Sequence, residues 1–307
     1  MRIVYFGTSE FAVPALKQIH QRVILVVSQP DRPSGRGMNT RPSPVKQCAI
    51  DLGLNVETPV RSRATEFVEK LKELGADAFI VASYGQILSK AVLAVPKHGC
   101  FNLHGSILPK YRGAAPIQYS LLNGDATTGV TLMLMDAGMD TGELIDTCEI
   151  QIKPDEIAGV LHDRLAVVAA DLVEEWIDRL GTGVFPKTPQ DEAEATYAPK
   201  VEKADAELRF DRPANKEFDR YRAFTPYPGG WIETSSGRLK VKNAALSSEI
   251  GRPGTVIEVR PTLIVAFQGG SMIWHVVQPE GKKPVTGAEF ANGARLKPGE
   301  CLKPKES

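Results

Sequence analysis

Residues 100–113 read CFNLHGSILPKYRG, an apolar run that ends in Asn102 and His104, two positions apart. Side chains two apart on a β-strand point to the same face, so an amide and an imidazole stand side by side where this strand ends. Runs of the same kind precede it: RIVYF at 2–6, VILVVSQ at 23–29 and DAFIVAS at 77–83. Helical patterns fill the gaps, from about Ser9, after Ser43 and over residues 64–74, with a further strand near Val56. Strands separated by helices imply βαβ units and a mainly parallel sheet. Beyond a helix near 115–122, TGVTLMLMDAGMDTGELIDTCEIQI predicts two strands joined by a Gly-rich loop, followed by a long helix from about Asp155 to Leu180. The expectation for residues 1–188 is therefore an α/β, doubly wound, Rossmann-like domain.

The text then changes. Residues 189–205, PQDEAEATYAPKVEKAD, are rich in Ala, Glu, Lys and Pro with little apolar periodicity, and read as a linker. Residues 206–307 hold a short helix over 213–224 and the β-rich runs WIET, RLKVKNA, GTVIEV, TLIVAF and MIWHVVQ, punctuated by Gly, Pro and Ser. Five short strands at this spacing suit a small β-barrel, an OB-like C-terminal domain, and a small sandwich fits the same spacing.

With 307 residues, 42% of them hydrophobic, the chain can bury a core in each domain. Its apolar runs are strand-length and no charged-then-apolar leader precedes MRIVYFG, so a cytoplasmic protein without a membrane partner is expected. Cys48, Cys100, Cys148 and Cys301 lie far apart with no C-x-x-C pair, which argues against a zinc site or a disulfide framework, and no metal is expected. The net charge of zero hides an asymmetry: from Ala206 onward there are 16 Lys+Arg and 11 Asp+Glu, against 21 and 26 before it. A basic C-terminal third is compatible with a phosphate-bearing partner. In FGTSEF (6–11), only Gly7 of a G-x-G-x-x-G fingerprint is present, so a nicotinamide dehydrogenase is not expected.

Ligands of doubly wound folds bind beyond the carboxyl ends of the strands, where Asn102 and His104 sit. A third polar group, Asp140 in MDAGMDTG (135–142), is bracketed by Gly138 and Gly142. A carboxylate there can orient an imidazole and help shuttle a proton. An amide, an imidazole and a carboxylate without a Ser or Cys nucleophile suggest direct transfer of an acyl-like group to an incoming amine. Asn102 would hold the oxyanion, an interaction worth about 3–4 kcal/mol, and His104 would take the amine proton.

FNLHGSILPKYRGAAP (101–116) together with MDAGMDTG closely resembles the catalytic segments of the formyltransferases that use 10-formyltetrahydrofolate, with matches at Asn102, His104 and Asp140. The resemblance implies 10-formyltetrahydrofolate as co-substrate, with backbone at Ser106, Ile107, Leu108 and Pro109 against the folate. SQPDRPSGRGMNTRPSPVKQCA (28–49) resembles the loop that the methionyl-tRNA branch of this family inserts after the second strand, and carries Arg32, Arg36 and Arg41. RAFTPYPGGW (222–231) similarly resembles the opening of that branch's C-terminal domain. These likenesses imply formyl transfer to the α-amine of methionine on initiator methionyl-tRNA, with the loop probing the acceptor end and the C-terminal domain holding the tRNA backbone; a monomer is expected. Two alternatives share part of the pattern: a formyltransferase acting on a sugar-nucleotide amine, and a non-catalytic tRNA-binding protein.

Overall fold

The computed structural model describes residues 1–34, 39–235 and 237–302, with backbone alone at 32–34 and 39–40. In chain order the first strands are β1 (Ile3–Gly7), β2 (Val23–Val27), β3 (Arg32–Ser34), β4 (Asn39–Arg41), β5 (Val56–Glu57), β6 (Ala78–Ala82) and β7 (Cys100–His104). They are followed by β8 (Arg112–Gly113), β9 (Thr127–Leu134), β10 (Leu144–Gln151) and β11 (Tyr197–Ala198). The remaining strands are β12 (Trp231–Thr234), β13 (Gly237–Ser247), β14 (Val256–Glu258), β15 (Leu263–Phe267), β16 (Gly270–Pro279) and β17 (Val285–Thr286). The helices are α1 (Val13–Ile19), α2 (Pro44–Asp51), α3 (Thr65–Glu73), α4 (Lys90–Leu93), α5 (Pro116–Asn123), α6 (Ala158–Thr182), α7 (Ala214–Ala223) and α8 (Gly287–Gly293).

Contacts divide the chain into two units, residues 1–116, 127–151 and 162–199 forming the first and 117–126, 152–161 and 200–307 the second. In the first unit one seven-stranded sheet runs β10-β9-β7-β6-β1-β2-β5. The pairs from β5 to β7 are parallel, and β9 and β10 are added antiparallel. Alternation decides what each face buries. Val4, Phe6, Leu25, Val27, Phe79, Val81 and Cys100 point one way and pack with Phe67, Val68 and Leu71 of α3 and Val92 of α4. The intervening Ile3, Tyr5, Ile80, Phe101 and Leu103 are buried too, so both faces are covered, as a parallel sheet requires. Local chemistry sets the helix starts: the Ser43 side chain accepts from Lys46 N at 3.0 Å just before Pro44, which caps α2 where the sequence predicted a helix.

The second unit is an antiparallel sheet in the order β12-β13-β16-β15-β14, with β17 beside β16. Register shifts between Val241 and Ala244 bend the long β13 where it pairs with β16. The curved sheet wraps a core of Leu239, Val241, Leu263, Phe267 and Trp274 against Phe218 and Tyr221 of α7. This barrel-like domain contains the five expected strands and the expected short helix.

Several short elements were not anticipated: the β3–β4 hairpin, α4, the parallel β8–β11 pair, β17 and α8. Residues 189–199, within the expected linker, group with the first unit, where β11 pairs with β8.

Candidate active site

The strand β7 places Asn102 beside Val81 of β6 and Met133 of β9, and His104 beside Thr131. Asn102 and His104 share the face of Cys100, and His104, at the strand's end, is only 5% exposed. The chain then turns through Ser106–Pro109. This turn is pinned from β9: Thr131 Oγ1 donates to Ser106 O at 2.7 Å and accepts from Leu108 N at 3.1 Å. Ser106 Oγ donates to Lys110 O at 2.7 Å, so the turn is also closed on itself.

His104 Nε2 lies 2.9 Å from the carbonyl oxygen of Tyr111, a residue with φ +63°. A carbonyl can only accept, so Nε2 carries the proton and, in the neutral ring, Nδ1 presents its lone pair. That lone pair faces Asp140, whose Oδ2 is 3.7 Å away. The same Oδ2 accepts from Gly113 N at 2.8 Å. The spacing is too long for a hydrogen bond but brings a carboxylate to the place where a proton arriving on Nδ1 would make an ion pair.

The loop carrying Asp140 is built by its own side chains. Asp136 Oδ1 accepts from Gly138 N at 2.9 Å and from Thr141 Oγ1 at 2.7 Å. A Cβ on Gly138 would lie 1.9 Å from Thr141 Oγ1, and one on Gly142 would lie 1.8 Å from Leu134 O. The two glycines therefore let the loop close on itself. Asp140 itself sits at φ +56°, a region that Asp tolerates better than most residues.

Residues the sequence reading missed support this pair. Arg112 is buried; its Nη1 and Nη2 donate to both carboxylate oxygens of Glu192 at 2.9 and 2.8 Å. Hydrogen bonding by Arg112 holds the Glu192 carboxyl below its ordinary range, and Glu192 in turn raises the Arg112 guanidinium. Gln190 joins Arg112 to the Asp140 loop. Arg112 was in view within KYRG; Gln190 lay in text without periodicity and gave no signal.

Of the three arginines expected to meet tRNA, Arg41 is exposed at the end of the β3–β4 hairpin, and Arg32 starts that hairpin. Arg36 lies outside the described residues. Among the described residues, no cluster of His, Cys, Asp or Glu is placed to hold a metal ion, and no helix is long and apolar enough to cross a membrane.

The formyl transferase family matches residues 1–176, and the formyl transferase C-terminal domain matches residues 200–295. A methionyl-tRNA formyltransferase of Geobacter metallireducens is 41% identical over 303 residues, covering 97% of this chain and 97% of the relative. The methionyl-tRNA formyltransferase of Symbiobacterium thermophilum is 42% identical over 315 residues, covering 100% of this chain and 97% of its own. Among solved structures, the N-formyltransferase of Helicobacter canadensis, in complex with folinic acid and dTDP-3-aminofucose, is similar with a TM-score of 0.69. That match covers 89% of this chain and 98% of the other at 19% identity, a likeness of fold. On both halves of its sequence, this chain belongs to the formyl transferase family, and the curated relatives it resembles at about 40% identity are methionyl-tRNA formyltransferases.

Proposed function

We propose that this protein transfers the formyl group of 10-formyltetrahydrofolate to the α-amine of methionine on initiator methionyl-tRNA. The observation that carries the chemistry is the Nε2-protonated His104, whose Nδ1 lone pair faces the Asp140 carboxylate across 3.7 Å. The amine attacks the formyl carbon, and Asn102 donates its side-chain N–H to the oxygen that becomes negative. His104 Nδ1 takes the proton the amine loses, and Asp140 stabilises the imidazolium that results. As the carbon–N10 bond breaks, the proton passes to N10 of the folate, leaving tetrahydrofolate and formylmethionyl-tRNA. No covalent enzyme intermediate is needed.

Backbone at Ser106, Ile107, Leu108 and Pro109 is assigned to the folate, in a turn made rigid by Thr131. Arg32, Arg36 and Arg41 are assigned to the acceptor end of the tRNA, since a guanidinium pairs bidentately with phosphates and base edges. The second unit, with most of the basic C-terminal third, is assigned to the tRNA backbone. A cytoplasmic monomer suffices for this reaction. Single-turnover formylation tests the roles: Asn102→Ala and His104→Ala should each slow transfer by about a hundredfold or more while tRNA binding stays intact. Near-normal rates in either variant would overturn the assignment.

A further inference from the structure

We infer that Gln190, anchored by Arg112, is a positioning residue for the Asp140 carboxylate, within a strap over residues 188–198 that fixes both sides of the His104–Asp140 pair. The inference rests on the reading of that pair as the proton-handling groups. Gln190 Nε2 donates to Asp140 O and to Gly142 O, each at 2.8 Å. Its Oε1 accepts from Arg112 Nε at 3.0 Å and Nη2 at 2.9 Å. Both amide hydrogens and the amide oxygen are thus committed, and a flipped amide would set Oε1 against two carbonyls, so the orientation is determined.

Asp140 needs such a hold. Its φ of +56° is left-handed backbone, which favours glycine, and the two Gln190 hydrogen bonds hold it there. Arg112, in turn, is fixed because a guanidinium with a fully buried side chain must keep its partners.

The other end of the strap holds the imidazole's partner. Thr196 Oγ1 accepts from Tyr111 N at 2.9 Å, Thr196 O accepts from Arg112 N at 2.8 Å, and Thr196 N donates to Pro109 O at 3.2 Å. Tyr111 is the residue whose carbonyl fixes the His104 tautomer. The strap is tied down at its start as well, where Thr188 and Leu144 exchange backbone hydrogen bonds of 2.8 and 3.0 Å. One segment therefore sets the carboxylate through Gln190 and the imidazole through Thr196. A misplacement of about 1 Å between reacting groups can lower a rate by about 10².

Gln190→Glu keeps the shape and the pairing with Arg112 but turns both donors into an oxygen facing two carbonyls. Its kcat should fall roughly tenfold to a hundredfold, more than any shift in melting temperature accounts for, with KM for the folate donor within about twofold of wild type. Gln190→Met, which removes the donors without adding charge, should fall less, and it replaces the Glu variant if that one fails to fold. Thr196→Val should shift the His104 ring from the Nε2-protonated form toward a mixture of tautomers, read by ¹⁵N NMR of the full chain with no substrate present. A kcat within about twofold of wild type in both Gln190 variants, or losses that only track melting temperature, would overturn the inference. So would an unchanged ring tautomer in Thr196→Val. If wild type itself fails to formylate methionyl-tRNA, the functional reading fails, while the NMR result still decides whether the strap positions the ring.

Discussion

His104 draws its chemical direction from a backbone atom. Asn102, His104 and Asp140 were legible as candidates because their types and spacing carry meaning on a strand end and in a Gly-flanked loop. The carbonyl of Tyr111 was not, because a backbone acceptor has no letter in the sequence and its aim depends on a φ of +63° that only the folded chain reveals. Tyr84 shows the same dependence on context. It follows β6, its ring meets Phe6 edge-on at 5.3 Å, and its carbonyl accepts from Thr8 Oγ1 and Gln29 Nε2 at the carboxyl end of the sheet. Burial pushes its phenol up to about 12 from an ordinary value of 10.0. Above pH 10 the folded protein keeps this proton while the unfolded chain releases it. Stability from this group is therefore complete below about pH 10 and is lost as pH rises toward 12. In urea titrations between these values, wild type should lose stability faster than Tyr84→Phe by about 1 kcal/mol per pH unit. Parallel pH slopes for the two proteins would show that Tyr84 titrates as it does when unfolded.

At the scale of elements, the long strands and helices were readable because each follows its own period, and the start of α2 was readable because Ser43 and Pro44 make a cap. The two-residue strands β8 and β11 were not, since Arg112–Gly113 and Tyr197–Ala198 have no pattern of their own and exist because they pair with each other. β9 combines both lessons. Its apolar residues announce a strand, but the one that matters for the site is Thr131, buried at 0% exposure and bonded to the Ser106–Pro109 turn. Thr131→Val keeps the shape and the β propensity while leaving the Leu108 N–H without its acceptor. An unsatisfied buried group of this kind costs about 1–3 kcal/mol, and the turn assigned to the folate loses its register. KM for 10-formyltetrahydrofolate should rise about tenfold, with a smaller change in kcat. An unchanged KM would detach this turn from folate binding.

Across the whole molecule, the two-part organisation was legible in the shift from alternating strands and helices to closely spaced strands after residue 206. The interleaving was not: residues 117–126 and 152–161 lie among the segments of the first unit in the sequence yet pack with the second unit, because contacts of this range leave no local trace. The acceptor is a property of the same scale, since the site supplies the transfer chemistry and the rest of the chain selects what brings the amine. The most direct measurement is a competition in which the full chain and labelled 10-formyltetrahydrofolate meet equal concentrations of initiator methionyl-tRNA and a dTDP-linked amino sugar. Label should accumulate on the methionine amine of the tRNA and not on the sugar. Label on the sugar amine, or release of free formate alone, would contradict the proposed function.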